Sequence, residues 1–142
     1  MVPLLETDFE FTRALRAYTA AVGSACGAGP ESCTVDTGTP ASAYVALDGR
    51  LPRFPDRDVA LIWDERHGWA LAVETHSAED LLVLGYLGRD PLARPAEVAR
   101  YAARALAGKP GRAEPPWLRE AGDHDRLTDR LRPYVTSLLA AS

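Results

Sequence analysis

The 142-residue sequence holds two cysteines, one methionine and, among sixteen basic residues, a single lysine, Lys109. Two cysteines are too few for a disulfide-stapled secreted scaffold. Nowhere does the chain run to the roughly 20 consecutive apolar residues of a bilayer-crossing helix, so no membrane partner is expected. The opening Met1-Val2-Pro3-Leu4-Leu5-Glu6-Thr7-Asp8 lacks both the cationic stretch and the apolar core of a signal or transit peptide, which predicts a cytoplasmic protein. Positive charge is also short: sixteen basic against twenty acidic side chains leave a net −4, no footprint for a nucleic-acid backbone. Gly-x-x-x-x-Gly-Lys, Gly-x-Ser-x-Gly, Gly-x-Gly-x-x-Gly behind a strand, His-Glu-x-x-His and paired Cys-x-x-Cys are all missing, so no cofactor, phosphate cradle or local zinc site is predicted.

What is present is average globular composition, 46% hydrophobic and 25% charged, at a length that buries about two-thirds of the unfolded surface in one core. Thr7 and Glu10 form a Thr-x-x-Glu capping box, followed by Phe11, Ala14, Leu15, Tyr18, Ala21 and Val22 at spacings of three and four. This predicts an amphipathic helix over 8–24, stopped by the glycine-rich loop that carries Cys26 and Cys33. Residues 31–40 read as loop, and 43–47 as a strand ending at Asp48-Gly49. Residues 81–87 fit a strand or a buried helix. Their length and Gly85 favour the strand, after a turn or helix start at Ser77-Ala78-Glu79-Asp80. A helix with Val98, Tyr101, Ala102, Ala105 and Leu106 on one face begins near Pro95 and ends before Gly108. Residues 109–116 have linker composition. A third helix over 123–140 shows Leu127, Leu131, Tyr134, Val135 and Leu138 on one face, with Pro133 expected to kink or restart it. The division expected is a core over 1–108 and a linker with a C-terminal helical arm over 109–142.

The clearest unit is Val59-Ala60-Leu61-Ile62-Trp63, the loop Asp64-Glu65-Arg66-His67-Gly68, and Trp69-Ala70-Leu71-Ala72-Val73, a hairpin. If Trp63 opposes Trp69, then Leu61 faces Leu71 and Val59 faces Val73, and one face is large and apolar throughout. Left in water it would form a patch of several hundred Å², so it is core. The other face carries only Ala60, Ile62, Ala70 and Ala72. It is small enough to admit a helix or a partner.

Three constellations carry possible chemistry. Extending the hairpin register places Asp58 opposite Glu74 and Asp56 opposite His76, and converging carboxylates with an imidazole can hold a cation or divide acid and base roles. The ordinary reading is solvated strand ends paired by Arg53 and Arg57. At the hairpin tip, Asp64, Glu65, Arg66 and His67 could serve catalysis or a pH-sensitive contact, against the commoner role of solvating groups. Cys26 and Cys33 could form a labile disulfide. Lying at the negative end of a helix, they are disfavoured as activated thiols. Trp63 and Trp69 read as core anchors, whereas Trp117, isolated after Pro115-Pro116 and followed by Leu118, reads as an interface anchor.

The run Pro55-Asp56-Arg57-Asp58-Val59-Ala60-Leu61-Ile62-Trp63-Asp64-Glu65-Arg66-His67-Gly68-Trp69 resembles the core segment of an uncharacterised family of small actinobacterial proteins. The likeness runs from the first helix through Tyr44-Val45-Ala46-Leu47-Asp48 to the second helix, over about 8–106. It implies origin and a fold unit, with no catalytic or binding residue to carry over. The excess of arginine over lysine agrees with that origin. The order of helices and strands is also similar to secretion-chaperone-like dimers, a likeness of fold alone.

Together these readings predict an α+β domain: a meander of about four antiparallel strands packed by the first two helices, with a C-terminal helical arm. Packing signals outnumber chemical ones. A non-enzymatic interaction or regulatory module is therefore expected, binding a protein or peptide through Ala60, Ile62, Ala70 and Ala72 or through Trp117 and Leu118, with homodimerisation possible. The alternative is a small enzyme or ligand-binding protein using Asp56, Asp58, Glu74 and His76.

Overall fold

The computed structural model describes residues 3–75 and 80–141, with side chains over 9–75 and 80–136. Five antiparallel strands form one sheet in chain order: β1 (Cys33–Asp36), β2 (Ser42–Leu47), β3 (Val59–Asp64), β4 (Gly68–Glu74) and β5 (Leu81–Tyr86). Three helices accompany them: α1 (Pro3–Ala25), α2 (Pro95–Leu106) and α3 (His124–Ala141). The α+β meander is thus as read from sequence, with a fifth strand where a loop was expected. Cys33-Thr34-Val35-Asp36 is too short and too closely flanked by Gly and Pro to signal a strand, and it becomes one by pairing with β2 from Cys33↔Val45 to Asp36↔Ser42.

The central hairpin has the expected register, Val59↔Val73, Leu61↔Leu71 and Trp63↔Trp69. All six of these side chains are buried, and with Phe11, Leu15, Tyr18 and Val22 of α1 they make the core. Both indoles find polar partners inside it. Trp69 Nε1 donates to Tyr18 Oη at 2.9 Å, Tyr18 in turn donates to the Ala93 carbonyl, and Trp63 Nε1 donates to Pro91 O at 2.6 Å. The register is pinned because a slip of one residue would put these side chains on the opposite face.

α1 begins at Pro3, so Thr7 lies inside the helix rather than at its cap; proline is pre-organised for a first helical turn. Cys26, Gly27 and Ala28 close the far end, with Gly27 at φ +82° and Ala28 N–H donating to Gly23 O. α2 packs on the same side of the sheet, and its Tyr101 hydroxyl lies 2.9 Å from Gly85 O and 2.6 Å from Pro110 O. The tail docks within its own chain. α3 lies along α1, burying Leu127 and Leu131 in the common core, stacking His124 on Phe11 at 4.1 Å and setting Tyr134 against Tyr18 at 5.0 Å. The helix runs through Pro133 without a restart, in a stretch where Arg132 and Pro133 are exposed and the carbonyl the proline frees can face water. Leu138's side chain and the turn at residues 77–79 lie outside the described residues.

Candidate functional site

α1 and α2 pack on the core side of the sheet with α3 lying along α1, and among the described residues no helix covers the second face. The strand pairings define its rows. Thr34, Tyr44, Ile62, Ala70 and Tyr86 lie in one line across all five strands; Ala46, Ala60, Ala72 and Val83 form the next; Asp36, Ser42, Asp64 and Gly68 flank the first on its other side. Tyr44 and Tyr86 stand three strands apart, about 14 Å at the usual inter-strand spacing. Between them lies a groove of about 420 Å³ with Ile62 and Ala70 in its floor and Asp36, Ser42, Asp64 and His67 toward one end. Ala60, Ala70 and Ala72 are themselves buried, so contact through this face falls on half-buried Tyr44, Ile62 and Tyr86.

Asp64, Tyr44 and His67 of the groove each have a hydrogen-bond partner. Arg66 grips Asp64 with Nε at 3.0 Å and Nη2 at 2.9 Å, and its backbone N–H adds a third bond at 2.7 Å. Burial raises the Asp64 carboxyl, but these bonds outweigh it and hold the group below the ordinary carboxylate range. Tyr44 donates to Glu74 Oε1 at 3.1 Å, and burial followed by the Glu74 charge pushes its phenol up. Burial first and Asp64 second push Tyr86 up as well. His67 Nδ1 is 2.9 Å from Pro116 O. A carbonyl only accepts, so Nδ1 carries a proton, and in the neutral ring Nε2 keeps the lone pair.

His67 also stands edge-on to Tyr86 at 6.3 Å and to Trp117 at 5.7 Å, making a chain of rings from the groove to the tail. Trp117 is 61% exposed, the half-buried Leu118 donates its N–H to Arg66 O, and Leu118 Cδ1 would come within 3.2 Å of a Cβ at Gly68. Gly68 is doubly required there, since its φ is +72°. The two partner-contact sets expected from sequence, the alanine-lined face and Trp117 with Leu118, therefore adjoin through His67.

The hairpin-tip acid Glu65 is placed where no solvating group would be. Its side chain is fully buried, accepting from Ala41 N–H at 2.6 Å, Gly122 N–H at 2.8 Å, His124 Nε2 at 2.7 Å and the Arg119 guanidinium. Burial raises its pKa, and the bonds from Ala41, His124 and Gly122 together bring it below the ordinary 4.5. Arg119 also donates to Gly122 O at 2.7 Å, so one carboxylate ties β3's end to the start of α3. The sequence could have signalled this only through the Arg119 and His124 that precede and open the tail helix.

The carboxylate cluster read from register is not assembled as a site by the described residues. Asp58 is on a cross-strand pair with Glu74, whose N–H donates to Asp58 O at 3.0 Å, and each carboxylate has its own partner: Asp58 pairs with Arg50 at 2.8 Å and Glu74 accepts from the Tyr44 hydroxyl. Asp56 is exposed, and His76 lies outside the described residues. Among the described residues no three His, Cys, Asp or Glu side chains converge as metal ligands. Both cysteines are free; burial pushes each thiol up, and Cys33 Sγ lies 3.8 Å from Thr19 O and 3.7 Å from Gly29 O.

The sequence profile of a family of unknown function, DUF6292, matches residues 18–104, more than half of the chain. The chain belongs to that family. No curated protein and no solved structure matches it. The DUF6292 segment contains the whole five-stranded sheet and every residue of the groove, together with α2 up to Arg104. Of the Glu65 network it contains Glu65 and Ala41 but not Arg119, Gly122 or His124. Among the described residues no helix is long and apolar enough to cross a membrane.

Proposed function

We propose that this DUF6292 protein is a non-enzymatic cytoplasmic interaction or regulatory module that binds a protein or peptide through the bare face of its sheet. The carrying observation is the asymmetry of the sheet: helices on one face and, on the other, an aromatic-walled groove with no helix over it among the described residues. Half-buried Tyr44, Ile62 and Tyr86 supply apolar contact, and exposed Trp117 extends the surface beside them. Surfaces of this make-up, aromatic and rimmed by polar groups, favour partner contact over solvent. Against burial, Arg66 holds the Asp64 carboxyl below the ordinary range, and burial pushes the Tyr44 and Tyr86 phenols up.

A second copy of the chain is the first partner to test, since a homodimer would bury the same face on both subunits. The excess of arginine over lysine supports an actinobacterial origin, whose lysates are the source for other partners. The experiment is light scattering coupled to size exclusion on the full chain and on Ile62→Arg, followed by affinity capture with both. Self-association or capture that Ile62→Arg abolishes while the fold persists is the expected result. A monomer whose captured proteins are the same with and without Ile62→Arg would overturn the reading.

A further inference from the structure

A second groove, about 580 Å³, lies between α1 and β1 and adjoins the first at Thr34 and Val35. Its helix wall presents Phe9, Arg13, Arg16 and Ala20; its strand wall presents Thr34 and Val35. Three features of this place point to the same ligand. The first is the strand itself. β1 ends the sheet order and has a neighbour on one side only, so its outer N–H and C=O groups have no strand partner among the described residues. At the opposite edge, Tyr86 at the end of β5 exchanges two backbone hydrogen bonds with Arg112, at 2.8 and 3.1 Å, so that end of the strand is covered.

The second feature is charge. Arg13 and Arg16 are exposed and, among the described residues, neither makes an ion pair, in a chain whose net charge is −4. Among the described residues no acidic side chain lines the groove with them. The third is Phe9, 67% exposed at the end of the same wall. Residues 9, 13 and 16 follow the three-and-four spacing that puts side chains on one helix face.

We infer that this groove is a docking site for an extended acidic peptide segment, which adds to β1 as a sixth strand while its carboxylates meet Arg13 and Arg16. Main-chain bonds along a free edge give such binding its affinity and the flanking pockets its choice of side chain. Alternate residues of a strand repeat at about 6.8 Å, within reach of two long guanidinium side chains one helical turn apart. An apolar residue further along the ligand would meet Phe9. A second copy of this chain fits less well, because two-fold pairing through β1 brings the Arg13 and Arg16 of one copy toward those of the other, and like charges oppose it.

The test is fluorescence anisotropy with the full chain and a labelled decapeptide bearing Asp at alternate positions with Val or Thr between them. Saturable binding is expected, weakening as salt rises, and falling about tenfold or more in the Arg13→Glu/Arg16→Glu double variant, whose exposed side chains leave the fold intact by circular dichroism. The same peptide with alternate amides N-methylated should also bind more weakly, because its main-chain donors are lost. Amide NMR shifts should concentrate at residues 33–36. The proposal is overturned by absence of saturable binding, by equal binding to the double variant, by equal binding of the Lys-for-Asp peptide or of an oligothymidylate, or by shifts centred on Tyr44, Ile62 and Tyr86.

Discussion

The two faces of one sheet are built from the same two strands and have opposite fates. On β3 and β4 the odd-numbered residues Val59, Leu61, Trp63, Trp69, Leu71 and Val73 are covered by helices, while the even-numbered Ala60, Ile62, Ala70 and Ala72 face a side that no helix covers among the described residues. The volume of the side chains decides this. Large residues pull α1 and α2 onto their face, whereas alanines expose too little apolar area to hold a helix of the same chain. The lesson is that the second face is left for contact without becoming a liability, since its small residues are buried by their own neighbours.

Deleting residues 109–142 would disturb the covered side most, because Leu127 and Leu131 leave the core and α1 loses the cover of α3. The expected loss is about 5 kcal/mol or more, comparable to a domain's whole stability, seen as a collapsed urea midpoint or an aggregated product. A soluble truncation with an unchanged midpoint would break the comparison. Next in size, Trp69→Ala should cost about 3–5 kcal/mol by urea unfolding, from the cavity and the lost bond to Tyr18, whereas Ile62→Ala on the bare face should cost about 1 kcal/mol. Equal losses would mean that both faces are core.

Glu65→Ala should also cost about 3 kcal/mol, because it leaves Arg119 uncompensated in a half-buried position. Acid sharpens this prediction. The folded pKa of Glu65 lies below its ordinary 4.5, so its stabilisation is complete above that value and is lost as pH falls through the depressed folded one. Urea midpoints measured from neutral pH to about pH 3 should fall less steeply in Glu65→Gln than in the natural chain. The smallest effect belongs to Trp117→Ala, within about 0.5 kcal/mol in stability, with any loss confined to partner binding.

The hairpin was legible because its code is local: five residues on each side of a glycine-closed loop, with a tryptophan pair that sets which residues oppose. That register places Ile62 and Ala70 on the small-residue face, but whether a helix or a partner covers that face depends on where distant segments pack. Glu65 was not legible. Within the loop Asp64-Glu65-Arg66-His67 it is indistinguishable from its neighbours, and its hydrogen-bond partners lie 24 to 59 residues away. β1 escaped for the same reason, since a four-residue strand bounded by Gly and Pro has no periodicity to read and depends on β2 for its hydrogen bonds.

Composition and periodicity determined the α+β class, the strand order of the hairpin, the positions of α2 and α3 and the small-residue face, because each depends on side chains within a few turns or one strand pair. Tertiary structure decided which acid is buried, which strand end at the sheet's edge is covered and where the tail rests. Those outcomes depend on meetings between segments far apart in the chain, where a carboxylate's fate is set by the donors that happen to surround it rather than by its own neighbours in sequence.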